Sequence, residues 1–247
     1  MTYMKNMFRS SGVILLIFLL QSCKKEVYNA IKESDGNVYN TVTIGTQVWM
    51  KENLRTTKYR NGDLIGTTTP ATMNIYAETT PKYQWAYGGN VSNVATYGRL
   101  YTWYAATDNR NVCPAGWHVP TDAEWTVLTD YLINNGYGYQ GSASDIGKSM
   151  ASTLGWTTYV TAGTAGTVGN DQASNNSSGF TALPGGYRFY YGTYEGGGES
   201  GYWWSSTEYS TAYAWLRSME ANKTNVDRYS SYFGKATGFS IRCVKDE

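Results

Sequence analysis

Few residues in this chain have the type and spacing to do chemistry. The single histidine, His118, sits between Trp117 and Val119. Its imidazole could serve as a pH switch or a general base, although a structural hydrogen bond at the entry to a helix explains it equally well. One imidazole cannot build a multi-histidine zinc centre. Gly185-Gly186 in ALPGGYR lacks the spacing and the lysine of a phosphate loop, so the pair is read as a tight turn beside Tyr187. Asp171, Asn175 and Asn176 in GNDQASNNSSG could offer oxygen ligands to Ca²⁺, against the alternative of a polar turn. Glu124 could act as a catalytic carboxylate, but it stands where a helix cap needs it. No catalytic residue is assigned.

The aromatic residues hold more functional promise. The chain has 23 Tyr, 9 Trp and 6 Phe, 15% of its residues. In YRFYY, strand alternation would put Tyr187, Phe189 and Tyr191 on one face and Arg188 and Tyr190 on the other, leaving one face outward. Trp203 and Trp204 are adjacent, and a regular strand that is buried on one face cannot bury both. Outward Tyr and Trp present flat apolar faces with polar tips, suited to stacking on sugar rings or on a protein. Tyr187, Arg188, Tyr190, Tyr191, Trp203 and Trp204 are therefore the candidate ligand-binding residues, against the alternative that most of them fill an irregular core.

The elements that must position these residues can be read from local patterns. Residues 37–54 alternate apolar and polar side chains on either side of Gly45, which predicts a hairpin. Leu100, Trp103, Tyr104 and Thr107 fall at helical spacing. In PTDAEWTVLTDYLINNG, Thr121 and Glu124 have capping-box spacing, Asp122 suits the positive helix end, and Trp125, Leu128 and Leu132 form an apolar stripe that stops at Asn135-Gly136. A further short helix is expected within residues 144–152. Aromatic strands follow at 187–191, 202–207, 212–219 and 238–244. Helices early and strands late describe an α+β domain.

The N-terminus reads as an address. Lys5 and Arg9 precede an apolar run from Val13 to Leu20, too short to span a bilayer. Residues 1–22 are thus a signal peptide, and the LQSC sequence ending at Cys23 resembles a bacterial lipobox with Cys23 as the acylated residue. Acyl chains on Cys23 would hold the protein at a lipid bilayer. With Lys24 next, an outer-membrane lipoprotein is expected, with surface exposure left open. Residues 23–36 read as the lipidated cysteine and a solvated tether, and residues 37–247 as the domain. In an exported chain, Cys113 and Cys243 are most simply a disulfide, with a redox or metal-binding pair as the alternative. The charge balance, 20 basic against 19 acidic residues, excludes a polyanion binder that works by bulk charge, and nucleic acid is not an expected partner.

The ordered segments IGTQVWMKENL, YGRLYTWYAA, CPAGWHVPTDAEW, SSGFTALPGGYR, GYWWSSTE and GFSIRCVKD closely resemble the Fibrobacter succinogenes major paralogous domain, found in lipoproteins and secreted proteins of Fibrobacter and Bacteroidota. WHVPTDAEW is also similar to a segment of the formylglycine-generating, sulfatase-modifying enzymes. That likeness implies a C-type-lectin-like α+β fold with two short helices and irregular antiparallel sheets. Those enzymes use a cysteine pair with copper, which this chain has no free pair to reproduce, and His118 replaces their arginine. The sugar motifs of calcium-dependent lectins are absent. The expectation is a non-catalytic module that binds a glycan or an envelope protein, with Ca²⁺ as a secondary cofactor expectation. The alternatives are an enzyme with changed chemistry on the same fold, and a structural component of a surface complex.

Overall fold

The computed structural model describes residues 30–33 and 35–247. The expected signal peptide, Cys23 and most of the tether lie outside the described residues. Among the described residues, no helix is long and apolar enough to cross a membrane.

The strands are, in order, β1 (Ile31–Lys32), β2 (Val38–Tyr39), β3 (Thr41–Ile44), β4 (Gln47–Met50), β5 (Gln84–Ala86), β6 (Arg99–Tyr101), β7 (Trp117–His118), β8 (Gly185–Arg188), β9 (Tyr194–Gly197), β10 (Ser200–Glu208), β11 (Ala214–Glu220), β12 (Asp227–Tyr229) and β13 (Val244–Lys245). The α-helices are α1 (Val94–Tyr97), α2 (Trp103–Ala106), α3 (Asp122–Asn134) and α4 (Gly147–Met150). A five-stranded sheet has the order β12-β11-β10-β8-β9, and a four-stranded one the order β3-β4-β13-β7. Among the described residues, β8 with β10 is the only parallel pairing between these strands, and the others are antiparallel. Short helices with mostly antiparallel sheets make this an α+β domain.

Long β10 explains the aromatic content. Trp203 belongs to one buried cluster, with Trp49, Trp125 and Phe180, while Tyr202 and Trp204 belong to a second, with Tyr101, Phe239 and Ile241. The strand has a core on each side. Such a strand reads as a continuous apolar run, and both adjacent tryptophans are buried. That corrects the expectation that one of them points outward.

Local signals hold where neighbours in sequence suffice. The hairpin β3–β4 turns at Gly45, whose φ of 61° suits glycine. Helix α3 carries the complete capping box between Thr121 and Glu124 and buries Trp125, Leu128 and Leu132. Cys113 and Cys243, 130 residues apart, are joined as a disulfide between buried positions.

Distant contacts override the local pattern elsewhere. The helix expected from Leu100 to Thr107 is split, because Tyr101 exchanges both backbone hydrogen bonds with Phe239 and is held as strand. Helix α2 starts only after Thr102, whose hydroxyl caps it. The strand expected at 187–191 ends at Arg188, and the chain turns at 189–192. Residues 238–240 pair through isolated bridges and 241–243 are outside any strand, so the expected strand is reduced to β13 from Val244. The described part of the expected tether packs on the domain: β1 pairs with β2, Ile31 packs on the core, and the Tyr39 hydroxyl donates to Glu33 at 2.9 Å.

Candidate ligand-binding surface

The turn between β8 and β9 carries Tyr190 and Tyr191, and Gly192 lets it dock. At φ 100°, a Cβ on Gly192 would lie 1.9 Å from the Thr72 carbonyl oxygen, so only glycine allows the two backbones to meet. The docked segment, residues 70–78, is tied further by the Ile75 amide, which donates to the Tyr190 carbonyl at 2.8 Å. Asn74 shapes this segment locally, its side chain accepting from the Tyr76 amide at 2.8 Å.

Arg188 fastens the junction from beneath. Its guanidinium donates to the carbonyls of Ala71 (3.0 Å), Phe189 (3.0 Å) and Met73 (2.5 Å). It also stacks on Trp85, 4.0 Å from the ring centroid. The side chain is fully buried. Arg188 is therefore a positioning residue and not a ligand contact, which corrects its expected role.

These ties bring Tyr76, Tyr190 and Tyr191 together at the surface. The Tyr76 ring stacks on Tyr191 with centroids 5.5 Å apart and planes 21° from parallel, and Tyr190 lies 5.5 Å from Tyr76 and 4.4 Å from Tyr191. Tyr76 is 67% exposed and Tyr191 53%. Contact with Tyr191, and then desolvation, raise the Tyr190 phenol above its ordinary pKa. Exposed large aromatics held in register form a surface on which a flat apolar face can stack. Tyr76 was absent from the sequence candidates. Its one local signal is Asn74 two residues earlier, a turn former, and nothing local links it to residues 190–191.

The remaining candidates separate from this surface. Tyr187 is half-buried, packed edge-on against Phe189, Tyr202 and Phe233, and only its hydroxyl reaches out, donating to Glu195 at 2.8 Å. Burial, followed by the Glu195 bond, raises its pKa. That hydroxyl lies in a hollow of about 410 Å³ lined by Tyr159, Tyr202, Glu195, Glu199 and Glu220. Trp203 and Trp204 are core residues. The Trp203 indole donates to Asn53 Oδ1 at 2.9 Å, the same oxygen that accepts from buried Arg242 at 2.9 Å. Asn53 also donates to the Tyr97 carbonyl at 2.9 Å and to Ser240 Oγ at 3.3 Å. Four of the ordered segments, KENL, YGRL, GYWW and SIRC, thus meet at one buried polar hub.

Of the expected calcium ligands, Asn175 and Asn176 are hydrogen-bonded within the protein, although Asn175 Oδ1 is buried without a hydrogen-bond partner among the described residues. Asn175 donates its amide to the carbonyls of Ser152 and Val168, and Asn176 exchanges hydrogen bonds with Thr181. Asp171 is exposed, and its carbonyl accepts from the buried Lys148 ammonium, as do those of Thr167 and Asn170. No cluster of three metal-ligating side chains occurs among the described residues.

At His118, Nδ1 is 2.6 Å from Asp246 Oδ1 and Nε2 is 2.7 Å from Glu124 Oε1. Burial lowers the imidazole's pKa, but Asp246 and Glu124 outweigh it, and the net shift is upward. Both ring nitrogens are occupied. The other Glu124 oxygen completes the helix cap, so His118 joins the end of the chain to α3.

A family model described as the Fibrobacter succinogenes major domain matches residues 42–245. Neither the curated proteins nor the solved structures contain a match.

Proposed function

The chain belongs to the Fibrobacter succinogenes major domain family, and from that premise we propose that it is an outer-membrane lipoprotein serving as a non-catalytic glycan-binding module. The observation that carries the reading is the cluster of exposed Tyr76 and Tyr191 with half-buried Tyr190, held by buried Arg188. Cys23 would anchor the chain in the bilayer through its acyl groups, and a C-type-lectin-like arrangement of the sheets would carry the tyrosines outward. Stacking suits the nearly neutral charge of the chain, because it selects by shape and apolar contact. The alternative of thiol-dependent oxidation needs Cys113 and Cys243 free, and they are bonded to each other.

A glycan array probed with the detergent-solubilised full chain, beside a pull-down from envelope extract, tests the proposal. Selective glycan signals that a Tyr76→Ala variant loses are expected. Capture of a stoichiometric protein partner with no glycan signal would contradict it and favour the structural-component alternative.

A further inference from the structure

The hollow of about 410 Å³ at the Tyr187 hydroxyl shares no residue with the tyrosine surface. The turn between β9 and β10 builds one wall of it. Gly196 takes a φ of 70°, a region that favours glycine, and a Cβ there would lie 2.2 Å from Ser200 Oγ. The Glu199 amide donates to the Gly196 carbonyl at 3.0 Å, and the Glu199 carbonyl accepts from the Ala221 amide at 2.8 Å. This tight turn brings Glu195 and Glu199 to the same hollow, which Tyr202 on β10 and Glu220 on β11 line from the sheet.

The charges here do not balance. Among the described residues, the lining holds Glu195, Glu199 and Glu220 and no lysine or arginine. Glu195 accepts from the neutral Tyr187 hydroxyl and keeps its charge. Glu220 pairs with Lys223 at 2.9 Å, but the same ammonium also lies 2.9 Å from Asp227. The Glu199 carboxylate makes no hydrogen bond or ion pair with another described residue. The phenols feel this field: after burial, Glu195 raises the pKa of Tyr187, and Glu220 that of Tyr202, the latter to about 12.

Ser218 adds an unused group. It stands directly opposite Tyr202 across the β10–β11 pairing and two residues before Glu220, so its side chain projects to the face of the sheet that carries the hollow. The residue is fully buried, and its hydroxyl has no hydrogen-bond partner among the described residues. A buried hydroxyl left unpaired is costly, and this one is turned to the hollow's side of the sheet.

We propose that this hollow binds an amino sugar with a free amine, its ammonium held by Glu199 and Glu195 and its hydroxyls paired with Asn222 and, at the sheet, Ser218. The excess of carboxylates selects a cation. An aliphatic amine would leave Asn222 and Ser218 without partners, whereas a sugar brings hydroxyls to both. The volume is that of a small-molecule site.

The test is calorimetric titration of the detergent-solubilised full chain with the disaccharide of glucosamine, beside its di-N-acetylated form and putrescine, a diamine without hydroxyls. The glucosamine disaccharide should bind, with affinity that falls as salt rises and as its amines lose their protons at higher pH. Tyr76→Ala should leave this binding intact, which separates the hollow from the tyrosine surface. In that variant the acetylated form and putrescine should each bind about tenfold more weakly, the first for want of a charge and the second for want of hydroxyl bonds. Glu199→Gln should weaken glucosamine binding about two- to fivefold, the worth of an exposed ion pair. Ser218→Ala should weaken it about two- to tenfold without lowering the melting temperature, because the hydroxyl has no partner in the protein to lose. Equal binding of the acetylated form or of putrescine to Tyr76→Ala, affinity unchanged in both Glu199→Gln and Ser218→Ala, or no binding of the glucosamine disaccharide would overturn the proposal.

Discussion

Replacing Arg188 with methionine keeps most of the apolar stem and removes the guanidinium that joins the 70–78 segment to the β8–β9 turn. Three hydrogen bonds and the stacking contact on Trp85 disappear. At about 1.5–3 kcal/mol for each charge-assisted bond and about 2 kcal/mol for a desolvated cation on an aromatic face, the gross loss is large. It is offset because methionine carries no charge to desolvate, a difference of several kcal/mol. The Ala71 carbonyl also keeps the Tyr194 hydroxyl at 3.2 Å. The balance is a destabilisation of about 3 kcal/mol, measurable by urea denaturation. A separate readout reports positioning: under native conditions the 70–78 segment should become cleavable by protease, and glycan binding should fall with the tyrosines unchanged. Arg188→Lys should not restore either, since one ammonium cannot span three carbonyls as a planar guanidinium does. A loss of stability under about 1 kcal/mol, with cleavage and binding unchanged, would refute the reasoning.

Asn53→Ala should be among the costlier single changes. It leaves the Trp203 indole N–H and an Arg242 N–H buried without the shared acceptor, about 3–5 kcal/mol by denaturant titration. The His118 pair makes stability depend on pH. Because its folded pKa is raised, its contribution is full below the unfolded value of about 6.5 and is lost as pH rises through the folded value. Thermal melts of the native chain and of His118→Gln should differ most near pH 5.5 and converge at higher pH; a gap that widens with pH would count against the pairing.

Much of the domain was legible because its signals are local. The capping box of α3, the turn at Gly45 and the pairing of two cysteines need only nearby residues or simple counting. The candidate site was legible in part. Tyr190 and Tyr191 stand on the surface, but for a different reason from strand alternation: the chain turns after Arg188, so the two rings sit at a hairpin tip. Trp203 and Trp204 misled because β10 has a core on both sides, a fact of sheet packing that alternation cannot express. Arg188 looked like an outward strand residue, yet it points into carbonyls that lie about 115 residues earlier in the chain. Tyr76 was hidden for the same reason, since its partners arrive only through long-range docking at Gly192.

Glycan binding by this chain would rest on exposed tyrosines acting as a stacking surface. Its most direct test is the affinity of the native chain and of a Tyr76→Ala/Tyr191→Ala variant for the best glycan on an array, measured by calorimetry with melting temperatures alongside. The expected loss is about five- to 150-fold, from roughly 0.5–1.5 kcal/mol for each of two aromatic contacts, with an unchanged melting temperature, because both rings are exposed. Equal affinity in the two proteins would contradict it.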